Sequence, residues 1–354
     1  MSIDTNNSGN LIVLQENCGV VSVENDLLMC RIEAGSDKLF NTLVRKQTGQ
    51  GPLSGSLVGY IQQEKKEAGV ETYENYKFTG VAEKVTVEQA DGKQAVIKVE
   101  GTHKVLKTGA TVAPYVIYLC FSADSDEIVM KHYFEYAAGA DGETLRGIAV
   151  ELTMAVAGSL HNRHVGFVCE TGMFYEGVQP MYVGSGIWGK KNPKKNNGGV
   201  DERVLMYERQ QLDGQFVTID MEEFADFAEI VEDNASFTNF RLTQNSGENY
   251  VITKCAKPGC AYITAVQGTR SQGTMFVGSE AGIIAAGVKD CWQKSPMTLE
   301  VKGMTTDEAV VTLWLVSRYA QKKNYSNENK VYLKLFAEMP GKQPIVDFAA
   351  KLNQ

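Results

Sequence analysis

The sequence predicts an all-β chain, an antiparallel β-sandwich with a small N-terminal β-barrel-like region and few helices. Three features carry this: short runs in which apolar and polar residues alternate, turn residues between neighbouring runs, and only one stretch with helical spacing. With 354 residues, 22% of them charged and 43% hydrophobic, the chain has an ordinary globular composition and ample length for a large core.

Taken in order, VVSVENDLLMCRIEAGSDKLFNTLVRK, residues 20 to 46, forms the first β region. The polar stretch EKKEAGVETYENYKFTG, residues 64 to 80, separates it from the later strands and places a boundary near residue 69. Next comes KVTVEQADGKQAVIKVEG, whose halves alternate around Asp91-Gly92. A tight primed turn needs φ > 0, which Asp-Gly supplies, so this segment is a hairpin. PYVIYLCFSADSDEIVMKHYFEYAAGADGETLRGIAVELTMAV adds three strands with turns at ADSD and AGADGE, and such short links imply antiparallel meanders.

The basic, turn-rich loop GKKNPKKNNGGVDER, residues 189 to 203, connects two strand blocks, and its four lysines read as an anion-binding loop or as a solvated charge run. In TIDMEEFADFAEIVEDNASF, Met221, Phe224, Phe227, Ala228 and Val231 share one helical face. Residues 249 to 317 then carry at least five strands, with turns at KPG, GTRSQG and SEAG. These elements divide into an N-terminal β region (1–69), a central β-sandwich (70–320) and a C-terminal tail (321–354) in which the alternation fades.

A net charge of −8 and a pI near 5.3 argue against nucleic acid and anionic membranes, because no global positive field draws a polyanion in. No apolar run approaches the length of a membrane span. The opening MSIDTNNSGN has neither the charged nor the apolar region of a signal peptide, so a cytoplasmic chain is expected, or a secreted or periplasmic one if a leader has been removed. The seven cysteines are odd in number and form no CxxC pair, which favours reduced thiols over a disulfide framework or a zinc site. A Cys255–Cys260 hairpin bond is the exception an oxidising compartment allows. With no GxGxxG, P-loop, HExxH, GxSxG or EF-hand pattern, no cofactor and no metal are expected.

Chemistry must therefore come from a constellation, and GSLHNRHVGF supplies one: His161, Asn162, Arg163 and His164 in succession. In an extended segment His161 and Arg163 face one way, Asn162 and His164 the other. Tyr175 and Glu176 come shortly after, completing a set suited to acid–base work and anion binding. The plainer alternative is a polar strand end, in which case Arg163 is solvent-exposed. Arg270, in a Gly-flanked turn, is a carboxylate binder or a solvated residue. Trp292 is a sugar-stacking platform or a core residue. His132, amid apolar neighbours, reads as a hydrogen-bonded strand residue.

Three segments, LRGIAVELTMAVAGSLHNRHVGFVCETGMFYEGVQPM, YITAVQGTRSQGTMFVGSEAGIIAAGVKDCWQKSPMTLEV and VVTLWLVS, occur in this order. Together they resemble the exo-rhamnogalacturonan lyase-like proteins of polysaccharide lyase family 26. NRHV followed by G-x-F/W-x-E, and WQ-x-x-P-x-x-LEV, are the specific runs, and the likeness covers roughly residues 15 to 320. The resemblance implies a small N-terminal barrel of the RIFT type, a central β-sandwich and, in full-length members, a C-terminal α/α toroid. After LWLVS too few residues remain for a toroid.

It also implies a partner, an acidic, uronate-containing polysaccharide, and a chemistry, β-elimination. Arg163 and Asn162 then neutralise the carboxylate, His161 or His164 removes the C5 proton and Tyr175 protonates the leaving oxygen. Glu176, Arg270 and Trp292 line the substrate. Two other readings stay open: a domain that holds sugar without cleaving it, and a structural or assembly protein that kept only the fold.

Overall fold

The computed structural model describes residues 11–353 apart from 17, 47, 68, 140, 141 and 182–201. A meander of β1 (Ile12–Gln15), β2 (Val20–Glu24), β3 (Leu28–Glu33) and β4 (Phe40–Arg45) leads into two long strands, β5 (Leu53–Glu67) and β6 (Val70–Ala90). β7 (Gln94–Val105), β8 (Thr111–Ser122), β9 (Glu127–Ala137) and β10 (Glu143–Ala155) come after them. One 3-10 turn, Leu160–Asn162, precedes β11 (His164–Cys169) and β12 (Gly172–Gly177). Two helices come next, α1 (Glu202–Leu212) and α2 (Met221–Asp233). The chain continues through β13 (Asn239–Ser246), β14 (Asn249–Cys255), β15 (Ile263–Gly268), β16 (Ser271–Ser279) and β17 (Gly282–Val288). It closes with β18 (Met297–Lys302), β19 (Glu308–Val316), β20 (Asn324–Leu335) and α3 (Lys342–Leu352).

All pairings between these strands are antiparallel, as the short turns predict. One sheet runs β15–β14–β13–β18–β19–β10–β5. The other runs β12–β11–β16–β17–β20–β9–β8–β7–β6. The β5–β6 pair joins them at one edge, and β1–β4 extend from the first residues of β5. Inward-facing apolar residues of both sheets merge into one cluster, with Val165 and Phe167 of β11, Val277 of β16, Leu299 of β18 and Leu313 of β19 among its members. This is the antiparallel sandwich that alternation demands, since each strand hides every second side chain.

The Asp91-Gly92 turn forms as expected: Asp91 Oδ1 accepts from the Lys93 and Gln94 amides at 2.9 and 2.7 Å, and Gly92 takes a φ of 80°. The helix expected from Met221 to Val231 is α2, capped by Asp220, whose side chain accepts from the Glu222 and Glu223 amides. Other expectations need correction. The polar stretch from 64 to 80 is no linker: it forms the distal arms of β5 and β6, which pair from Val58 with Thr79 to Glu67 with Val70. The tail holds a full strand, β20, seated between β9 and β17, and a helix whose Ile345, Phe348, Ala349 and Leu352 are buried against the sheet. α1 was also unforeseen; its buried Val204, Tyr207 and Gln211 recur at helical spacing but include only one aliphatic residue. The four lysines of residues 190 to 195 lie outside the described residues.

Candidate functional site

The stretch from His161 to His164 is extended only from Arg163 onward, since Leu160–Asn162 form the 3-10 turn. Ser159 turns the chain into the 3-10 turn, in which the Asn162 and Arg163 amides donate to the Ser159 and Leu160 carbonyls at 2.9 and 3.3 Å. Strict alternation therefore fails, and His161 and Asn162 point to a common partner, Val217. Asn162 grips that residue from both sides, Nδ2 donating to its carbonyl at 3.1 Å and Oδ1 accepting from its amide at 2.7 Å. His161 Nε2 lies 3.3 Å from the same carbonyl. A carbonyl only accepts, so the neutral ring carries its proton on Nε2 and keeps a lone pair on Nδ1. Burial depresses the His161 pKa, against the Val217 hydrogen bond and the charges of Glu280 and Glu232.

Arg163 goes elsewhere. Its Nε donates to the Gly158 carbonyl at 3.0 Å and its Nη1 to the Met304 and Thr306 carbonyls at 2.9 and 2.5 Å. With 8% of its surface exposed, it is not the exposed arginine of a simple strand end, and its Nε and Nη1 are committed to backbone carbonyls. Its work is to tie the segment before β11 to the turn between β18 and β19.

His164 is fully buried on the outer face of its sheet, 5.2 Å ring to ring from Tyr175. Neither of its ring nitrogens nor the Tyr175 hydroxyl has a hydrogen-bond partner among the described residues. Burial drives the His164 pKa down to about 3, aided by His161, and pushes the Tyr175 phenol up. Gly214 closes over Tyr175, where a Cβ would stand 2.7 Å from the hydroxyl, and Lys342 of α3 sits 5.6 Å from the ring. The His164 ring and the Tyr175 hydroxyl are thus closed off beneath α3 and the end of α1, while the Tyr175 side chain as a whole is partly buried.

Glu176 is held in an ion pair by Lys254 of β14, whose ammonium also lies 3.9 Å from the centre of the Phe237 ring. Arg270 and Trp292 do meet, guanidinium over indole at 4.5 Å, with Arg270 Nε donating to the Gly247 carbonyl at 3.2 Å. They sit where Cys169 pairs with Ser271, at the far end of β11 from His164. Six residues of strand put roughly 17 Å between the two ends. His132 is a strand residue as expected, yet it has no hydrogen-bond partner among the described residues.

What opens at the 3-10 turn is a cavity of about 530 Å³. His161, Asn162, Gln179, Glu232 and Glu280 supply its polar lining, and Leu160, Val217, Ile219 and Met221 its apolar part. Gly158, with φ at 82°, leaves room for one of its walls: a Cβ there would stand 2.4 Å from the Glu280 carboxyl carbon. Gln211 of α1 braces the rim, Nε2 donating to the carbonyls of His161 and Gln179 at 2.7 and 2.9 Å. Gln179 in turn donates to the carbonyls of Glu232 and Asn234, closing the C-terminal end of α2. Gln179, Glu232 and Glu280 were not singled out from the sequence. Glu280 sat in plain view in the SEAG turn, but only the pairing of β16 with β11 brings that turn to His161.

Among the described residues no group of three His, Cys, Asp or Glu side chains is placed to hold a metal ion, and no helix is long and apolar enough to cross a membrane. All seven cysteines are free thiols; Cys255 Sγ donates to the Lys257 and Cys260 carbonyls and is not bonded to Cys260.

Compared with known proteins, residues 12–332 match the family of the PcRGLX-like protein central β-sandwich domain. An uncharacterised protein of Bacillus subtilis (strain 168), YetA, is 27% identical over 297 residues, covering 83% of this chain and 32% of YetA. The chain thus spans about a third of the length of that curated relative. Among solved structures, an α-mannosidase from Enterococcus faecalis V583 aligns over 98% of this chain and 32% of its own, at 10% identity and a TM-score of 0.43. A galactose mutarotase-like protein from Clostridium acetobutylicum aligns over 92% and 98%, at 9% identity and 0.41.

Proposed function

Because the chain belongs to the family of PcRGLX-like central β-sandwich domains, which is carbohydrate-related, we propose that its role is to bind a saccharide at the His161 cavity and not to cleave one through the Asn162–Arg163–His164 run. One observation supports this reading above the others. Of the five groups that elimination would recruit, only His161 and Asn162 line a cavity, and the Asn162 amide is committed to Val217, while Arg163 Nε and Nη1 are on carbonyls and His164 and the Tyr175 hydroxyl are buried. The tyrosine acid and the arginine clamp assigned to elimination are therefore both absent from the cavity lining.

The cavity suits a neutral sugar unit. Glu232 and Glu280 accept hydrogen bonds from hydroxyls, Asn162 and Gln179 belong to its wall, and Val217, Ile219 and Met221 supply a surface for C–H groups. Two carboxylates repel a third, so a uronate is disfavoured there.

Calorimetric titration with rhamnogalacturonan oligosaccharides should give binding that His161→Ala weakens about tenfold, with no rise in ultraviolet absorbance from a new C4=C5 bond. A parent protein that produces the unsaturated product, at a rate His161→Ala abolishes, would overturn this and restore elimination with His161 as base.

A further inference from the structure

A second polar surface lies on the opposite side of the sandwich wall from the core, on the outer face of β7, β8 and β9. Val96, Lys98, Val116, Tyr118, Cys120, Lys131 and Tyr133 line a groove there of about 430 Å³, within the roughly 300–1,000 Å³ usual for small-molecule sites. The helices pack elsewhere, α3 on β11, β12, β16 and β17 and α1 on β12.

Register makes the groove unusual. Lys98 pairs with Tyr118, Tyr118 with Lys131, and Lys131 with Lys330 of β20, so one row across four strands reads Lys–Tyr–Lys–Lys. Like charges directly opposite each other destabilise a sheet, and an unliganded face would avoid the Lys131–Lys330 pair. Carboxylates relieve the flanks: Glu100 lies 2.9 Å from Lys98 and Glu328 lies 3.5 Å from Lys330. For Lys131, in the middle, the described residues provide no ion pair. Beside it Tyr118 and Tyr133 stand nearly perpendicular, at 88°, with ring centres 5.8 Å apart. Two rings at right angles form a corner into which a flat C–H face fits, and a lone ammonium next to it selects an anion. The chain as a whole carries a charge of −8, so general basicity does not account for the row.

We propose that this groove binds the carboxylate-bearing ring of an acidic oligosaccharide, the carboxylate on Lys131 and the ring faces against Tyr118 and Tyr133. The identification of the ligand as a sugar rests on the carbohydrate reading above. The groove and the His161 cavity then divide the work, acidic units to the lysines and neutral ones to the carboxylates.

Trigalacturonate titrated calorimetrically at low salt is the probe, with a neutral trisaccharide beside it. Lys131→Glu, a change on an open sheet face, should weaken trigalacturonate about tenfold or more, and Tyr118→Ala should also weaken it. If the parent and Lys131→Glu bind trigalacturonate alike, the groove proposal falls while any His161-dependent binding of neutral sugar stands. If the parent binds no saccharide, acidic or neutral, the carbohydrate reading falls with it. Tripolyphosphate binding as tightly as trigalacturonate, with neither affected by Tyr118→Ala, would reduce the row to a bare anion patch and overturn the proposal.

Discussion

Three of the four histidines, His103, His132 and His164, are fully enclosed, and His161 borders the cavity. The run from His161 to His164 marks the rim of a cavity, as its polarity suggested, but a 3-10 turn sends neighbouring side chains to different places, and turn geometry is invisible to a count of alternating residues. Burial was equally hidden. His103, His132 and His164 are all fully enclosed, and loss of solvation lowers their pKa values to about 4, about 3 and about 3. For His103 the hydrogen bond to the Ala113 carbonyl opposes that shift; for His132 the charge of His103 adds to it. Folded, the three rings stay neutral while the unfolded chain protonates them near pH 6.5, so more protons bind the unfolded state in that window. Stability is therefore complete above about pH 6.5 and falls as the pH drops towards the folded values, by about 1.4 kcal/mol per pH unit for each ring. Urea midpoints between pH 7 and 5, where carboxylates stay ionised, should decline steeply, and His132→Leu should flatten the slope by about a third. A constant midpoint across that range would refute the assignment.

At the scale of single elements, hairpins were the legible part, because Asp-Gly and Gly-rich turns announce themselves and each strand alternates locally. β20 escaped because its first half carries Asn327 and Asn329, which break the alternation, although Val331, Leu333 and Leu335 restore it. What joins elements was less legible, and Arg163 is the case in point. Sequence reasoning allowed an anion clamp or an exposed strand end; the structure adds a third state, a buried cation spent on backbone carbonyls. Arg163→Ala strands the Gly158, Met304 and Thr306 carbonyls, and should cost about 3 kcal/mol in chemical denaturation. Arg163→Lys should recover only part of this, since one ammonium cannot span three acceptors held by a planar fork. Unchanged stability in the alanine variant would return Arg163 to the free cations.

Across the whole molecule, the N-terminal meander and the sandwich are tied by few but buried polar links. Asn25 donates to the Ser122 and Ser125 carbonyls at 2.9 Å each and accepts from the Leu27 and Leu28 amides at 2.8 and 2.7 Å. Arg45 reaches Asp126 at 2.8 Å and the Leu335 carbonyl at 3.2 Å. Asn25→Ala leaves four backbone groups without that partner, so a loss of about 3 kcal/mol is expected. Circular dichroism and tryptophan fluorescence should report it as one shared transition, because Leu11, Val21 and Val23 belong to the same apolar cluster as Ile97 and Phe134. Two separated transitions would mean that the meander melts on its own.

The position of β20 has a consequence for how the chain comes into being. β9 and β17 each present an open edge until β20 arrives between them, and Asn327 must find Phe134 across almost the whole of the intervening chain. On the ribosome, β6 to β9, β11, β12, β16 and β17 all emerge before the strand that completes their sheet. Vectorial synthesis therefore holds two sticky edges exposed for the time needed to translate β20, a period in which neighbouring nascent chains compete for the same hydrogen bonds.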